Sequence, residues 1–164
     1  MSSAKFDFIV FGATSFVGQI ISAYLSEHLS GCSEISWSIA ARSETKLCSL
    51  QKQISIKGDK IPIITANAME YDDMLHLCQR ARLILSTVGP YAMFGEELVK
   101  ACAETGTDYC DITGETHWIK EMLVKYERLA QSTGARLVSC CAFDSIPSDL
   151  GVYFLQKESN RKYA

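Results

Sequence analysis

Short apolar, β-branched runs alternate along the chain with longer segments in which apolar residues recur every three or four positions. The first kind suits strands buried on both faces, and the second suits helices with one buried side. Strands are predicted at Phe6–Phe11, Ile35–Ala41, Ile61–Thr65, Leu83–Val88, Thr107–Ile112 and Arg136–Cys141. Between them lie five helical faces. The first is carried by Val17, Ile21, Tyr24 and Leu25, the second by Leu47, Leu50 and Ile54, and the third by Tyr71, Met74, Leu75 and Cys78. The fourth is carried by Phe94, Leu98, Ala101 and Cys102, and the fifth by Trp118, Ile119, Met122, Leu123, Tyr126, Leu129 and Ala130. Ser43 stands where it would cap the second helix, and Gly106 and Gly134 stand where the last two would close. Strands alternating with helices in this way require right-handed crossovers. The predicted fold is therefore α/β, a doubly wound parallel sheet of about six strands with helices on both faces. It occupies residues 1–151, and residues 152–164 are expected to form a polar tail.

A length of 164 residues is one domain's worth. The 16 basic and 19 acidic residues give a net charge of −3, which argues against a surface built to neutralise nucleic-acid phosphates. No run of about 18 apolar residues spans a bilayer, and the first residues lack the apolar stretch and cleavage site of a secretory signal. A soluble cytoplasmic domain is the expectation. The seven cysteines include no CxxC pair, and His28, His76 and His117 are scattered. The thiols read as small buried hydrophobes, with no metal.

Chemistry gathers at the predicted strand ends. The first strand runs into Gly12, Ala13, Thr14, Ser15, Phe16, Val17 and Gly18, and then into a helix. Gly12 suits a tight turn, Gly18 suits close helix–sheet packing, and the free N–H groups of a helix start suit a pyrophosphate. Ser15 stands where a G-x-x-G-x-x-G loop has its middle glycine. Its side chain would either crowd the phosphates or donate a hydrogen bond to one. The second strand ends at Arg42, with Lys46 one helical turn on. NAD-specific proteins place a carboxylate there to hold the ribose 2′-hydroxyl, whereas a guanidinium can chelate a 2′-phosphate. The expected ligand is NADP(H) rather than NAD(H), against the plainer reading of Arg42 as a solvated helix-start residue. The fourth strand ends in Val88, Gly89 and Pro90, beside the point where strand order reverses. These residues either border the cofactor or simply break the strand. Asp144 or Asp149 is expected to cap a helix starting at Pro147.

The segments GATSFVG, AARS, VGPYAMFGEELVKACAETGTDYCDITGE and FDSIPSDLG together resemble the saccharopine dehydrogenase-like oxidoreductases, which include the mycobacterial trans-acting enoyl reductases. The resemblance runs from about Phe6 to Gly151. It implies a Rossmann domain binding NADP(H), with Gly12–Gly18 at the pyrophosphate and Arg42 at the 2′-phosphate. The chain departs from the family at Ser15 and at Ala41, where glycine is usual. Family members carry a second domain closing over the nicotinamide, so this chain resembles the cofactor half of a larger protein. The resemblance implies hydride transfer to a C=C, C=N or C=O group of a small or lipid-like substrate in the full-length protein. It also implies peripheral association with lipid droplets or membranes. The isolated chain is expected to bind NADPH, to be inactive and to self-associate, and no catalytic residue is assigned. The alternative is a non-catalytic scaffold that keeps the nucleotide fold for partner binding, with Ser15 obstructing the loop.

Overall fold

The computed structural model describes residues 6–56 and 60–163, and side chains through Arg161. Six strands form one sheet: β1 (Phe6–Phe11), β2 (Trp37–Ala41), β3 (Ile63–Thr65), β4 (Ala81–Ser86), β5 (Asp108–Asp111) and β6 (Leu137–Val138). Their spatial order is β3-β2-β1-β4-β5-β6, with every neighbouring pair parallel. Strand order thus reverses between β1 and β4, the place where a doubly wound sheet opens a crevice for a ligand. The helices are α1 (Phe16–Leu29), α2 (Glu44–Ile54), α3 (Tyr71–Arg80), α4 (Tyr91–Phe94), α5 (Glu96–Thr105), α6 (Thr116–Thr133) and α7 (Ile146–Tyr163).

The period of two along β1 divides the core. Ile9 and Phe11 join Met74 of α3, Leu98 of α5 and Trp118 of α6 on one face. Val10 joins Ile39 of β2 and Leu47 and Leu50 of α2 on the other. Each such side chain contributes roughly 1.5–3 kcal/mol on full burial. This two-sided burial is why the strands carry unbroken apolar runs.

Several boundaries differ from the sequence reading for identifiable reasons. β2 starts at Trp37 because the Asp7 carboxylate takes the Ser36 N–H at 2.9 Å and the Ser36 hydroxyl at 3.0 Å. β3 begins only after Pro62, which has no N–H to give the ladder. β6 is two residues long because the Asp111 carboxylate takes the Cys140 N–H at 3.0 Å, and Cys140 sits at φ 62°. The fourth helix is split at Gly95 into α4 and α5, and the Trp118 ring lies where a Gly95 Cβ would be. The buried stripe of α1 is Gly18, Ser22 and Ser26, while Tyr24 is exposed and stacks on His28. Small residues at this spacing let α1 lie close to its neighbours. Leu123 of α6 is likewise exposed. The expected polar tail from 152 is the second part of α7: nothing after Pro147 breaks the helix, and Val152, Tyr153, Phe154 and Leu155 on it are exposed. Ser43 caps α2, and Gly106 and Gly134 close α5 and α6 in the left-handed region.

Candidate cofactor site

A cleft of about 280 Å³ opens at the carboxyl ends of β1 to β4. Its centre is the turn that leaves β1. Gly12 has φ +83°, and a Cβ there would meet Val88 Cγ2 at 2.7 Å and Thr87 Oγ1 at 2.8 Å. Only glycine fits both the conformation and the space. Gly18 is under a tighter constraint, since its Cβ would fall 2.2 Å from the Gly12 carbonyl oxygen and 2.8 Å from Ala13 Cα. The first turn of α1 therefore sits directly on the loop that precedes it.

Ser15 has an ordinary extended backbone, φ −71° and ψ 166°, so no glycine is needed there. Its hydroxyl is the N-cap of α1, accepting from Gly18 N–H at 3.0 Å. The same oxygen lies 3.1 Å from Thr87 Oγ1. Thr87 in turn donates to the Gly12 carbonyl at 2.9 Å and reaches the Phe11 carbonyl at 3.2 Å. A hydroxyl has one proton, and both carbonyls are acceptors only, so Thr87 accepts from Ser15. The Ser15 proton is thus directed into the protein, and the side chain neither crowds the loop nor offers a donor to a phosphate. This removes the ground for reading Ser15 as an obstruction. Among the described residues, the N–H groups of Thr14, Phe16 and Val17 have no partner. Unpaired amides at the start of a 14-residue helix are a donor set suited to an anion.

Arg42 follows β2 on the rim of the same cleft, is exposed, and makes no ion pair among the described residues. A cation at this rim beside free amides suits a ligand carrying more than one phosphate. The chemistry of the donor set therefore fits NADP(H).

The remaining candidates separate cleanly. Thr14, Ser15, Val88 and Gly89 line the cleft with Gly12 and Arg42. Ala13 is buried in the core, and Phe16 is 80% exposed and, with Val17, turned away from the cleft lining. Pro90 is also outside the lining, at the N-terminus of α4. Lys46 lies in a separate depression with Gln19 and Gln53.

The match to the family description "Saccharopine dehydrogenase NADP binding domain" covers residues 8–138. The chain belongs to this saccharopine dehydrogenase family. It is an NADP(H)-binding domain. A trans-acting enoyl reductase of Mycobacterium bovis is 38% identical over 155 residues, 94% of this chain and 36% of that protein. A lipid droplet localized protein of Caenorhabditis elegans is 38% identical over 160 residues, again 94% of this chain and 37% of the relative. The chain thus spans about a third of the length of these relatives. Saccharopine dehydrogenase (L-Glu forming) of Saccharomyces cerevisiae, in its apo form, shares the fold, with a TM-score of 0.68 and 17% identity over 95% of this chain and 32% of that one. No described helix is long and apolar enough to cross a membrane.

In this saccharopine dehydrogenase-type domain, the acids and phenols near the strand ends are held by internal bonds. Asp111 is fully buried and accepts from the Tyr109 hydroxyl at 2.7 Å, Thr113 N–H at 3.1 Å, Ser139 Oγ at 3.1 Å and Cys140 N–H at 3.0 Å. Glu115 caps α4, accepting from the N–H groups of Tyr91 at 2.7 Å and Ala92 at 2.9 Å. The Tyr91 hydroxyl donates to the Ser86 carbonyl at 3.0 Å, and burial pushes its pKa well above the usual phenol value. His117, Asp144 and Asp149 are exposed, and neither aspartate makes a capping bond to α7 among the described residues. Sequence reasoning missed Thr87, whose role exists only because β4 lies beside β1. It also missed the β3 end, Ala66 to Met69, which closes the cleft beyond Arg42.

Proposed function

We propose that this chain is the cofactor-holding part of an NADP(H)-dependent reductase. In this reading the loop from Gly12 to Gly18 holds the pyrophosphate and Arg42 holds the 2′-phosphate, with Lys46 adding positive charge behind it. Val88, Gly89 and Pro90 border the nicotinamide side. The observation that carries the reading is the unpaired Arg42 on the rim that also holds the glycine loop. When bound, NADPH supplies a hydride to a C=C, C=N or C=O carbon. The chain's own contribution is to bind and orient. Tyr91, Asp111 and Glu115 are occupied by internal bonds, so this reading gives none of them a part in the chemical step. The enoyl reductase relatives support an enoyl substrate, and the nematode relative supports a peripheral location at lipid droplets. The apolar side chains exposed on α7 suit such a contact, or self-association.

The test is a fluorescence titration with NADPH and NADH, followed by an NADPH-oxidation assay over enoyl, imine and carbonyl compounds. Saturable binding that favours NADPH, without turnover, is the expected result, because the acids and phenols beside the cleft are held by bonds within the described residues. Absence of saturable binding would instead favour the scaffold reading. Rapid turnover by the chain alone would return the catalytic role to its own residues. Co-flotation of the protein with triacylglycerol droplets tests the location, and recovery only in the lipid-free fraction rejects it.

A further inference from the structure

The loop that leaves β1 is tied to the protein by some of its amides and leaves others free. The N–H groups of Gly12 and Ala13 both donate to the Ala40 carbonyl, at 2.8 and 3.1 Å. The Ser15 N–H donates to the Gly12 carbonyl at 2.8 Å, and the Gln19 N–H to the Ser15 carbonyl at 3.0 Å. With Gly18 N–H held by the Ser15 hydroxyl, the free amides of the loop among the described residues are those of Thr14, Phe16 and Val17. How these three are presented depends on the peptide between Gly12 and Ala13. Glycine leaves that peptide free to turn, and a carbonyl turned toward the cleft would repel a phosphate. Two donors hold the Gly12 carbonyl in place, the Ser15 N–H and the Thr87 hydroxyl at 2.9 Å.

We infer that Thr87 is a positioning residue for the cofactor: acting through the Gly12 carbonyl, with Ser15 as its own donor, it sets the phosphate loop in its binding shape before a ligand arrives. This step rests on the cofactor reading proposed above and goes beyond it, since it gives a residue of the other half of the sheet control of the loop. The bonds run in one direction. Gly18 N–H donates to the Ser15 hydroxyl at 3.0 Å, Ser15 donates to Thr87 at 3.1 Å, and Thr87 donates to the Gly12 carbonyl. Hydrogen bonds linked in this way polarise and strengthen one another. Thr87 is buried, so its hydroxyl is committed to this run. The run also closes a circle, because a Gly18 Cβ would fall against the same Gly12 oxygen. A glycine at position 15 would supply neither the cap of α1 nor the link to Thr87, so the device belongs to this chain and not to glycine loops in general. A loop already held in shape loses no affinity to its own ordering.

Titration with NADPH, NADH and adenosine 2′-monophosphate tests this, because the last carries the 2′-phosphate without a pyrophosphate and so reads the site apart from the loop. Thr87→Val keeps the branched shape and removes the hydroxyl. It is expected to weaken NADPH and NADH alike, about three- to tenfold, as the loss of one hydrogen bond implies, and to leave adenosine 2′-monophosphate unchanged. Thr87→Ser keeps the hydroxyl and loses a methyl group, so it should bind both dinucleotides like the unaltered protein even where its melting temperature is lower. Thr87→Cys, with a thiol that donates weakly, should fall between the two, and it carries the comparison if the valine variant does not fold. Unchanged dinucleotide affinity without the hydroxyl, an equal loss for adenosine 2′-monophosphate, or failure of Thr87→Ser to restore binding overturns the role of Thr87 and leaves the cofactor reading intact. Failure of the unaltered protein to bind any of the three ligands overturns both.

Discussion

Replacing Arg42 with alanine is expected to weaken NADPH about 10- to 150-fold while leaving NADH nearly unchanged. The guanidinium is exposed on the cleft rim and has no carboxylate partner to lose among the described residues. Its removal therefore costs the fold little and subtracts only what it gives a ligand. A hydrogen bond to a charged group contributes roughly 1.5–3 kcal/mol, and each 1.4 kcal/mol is about tenfold in affinity. Arg42→Lys keeps the charge but not the planar fork, so it should fall between the two proteins. Parallel titrations with both dinucleotides decide the matter. An equal loss for NADH and NADPH would place the 2′-phosphate elsewhere.

Gly18→Ala is expected to damage both stability and binding. The added carbon would fall 2.2 Å from the Gly12 carbonyl oxygen and 2.8 Å from the Ala13 Cα, which are backbone atoms that cannot swing aside. Relief requires the first turn of α1 to lift from the loop. Overpacking of this kind costs about 1–3 kcal/mol, and the close backbone contacts put this site at the upper end. For a domain of this size, about 3 kcal/mol lowers the melting temperature by roughly 6–12 °C. NADPH affinity should fall as well, because the loop and the helix start would separate. Ser15→Ala is the companion variant. It removes only the N-cap hydroxyl and its bond to Thr87, and should cost about 1 kcal/mol. A Gly18→Ala protein that melts with the parent and binds NADPH normally would refute the packing argument.

The order and kind of the elements were legible because each strand is buried on both faces and each helix on one, which writes two distinct periods into the chain. Ser43, Gly106 and Gly134 were legible for a local reason, since a cap depends on residues within one turn of it. The failures share the opposite cause. β6 stops short because a carboxylate on β5, 29 positions earlier, claims the Cys140 N–H. On α1 the fully buried positions are Gly18, Ser22 and Ser26, a stripe of small residues that no hydrophobicity pattern reveals, while the predicted Ile21 and Leu25 pack beside it against the core. At the site, Gly12, Gly18 and Arg42 were readable from spacing along one βαβ unit. The role of Ser15 was not, because it depends on Thr87, 72 positions away.

The pairing of β1 with β4 sets Phe8 opposite Leu83 and Phe11 opposite Ser86. It joins two halves, β1 to β3 and β4 to β6, whose other strand pairings are all made within each half. Closing this central seam brings together residues about 75 positions apart, and such long-range closure is slow because its entropy is lost before its contacts form. The bond from Thr87 to Gly12 crosses the same seam. The phosphate loop is therefore completed only when the two halves meet, and a dinucleotide can recognise only the joined species. Such a ligand raises stability according to its concentration relative to its dissociation constant. It does so by slowing the parting of the halves, while the rate at which they first find each other stays the same.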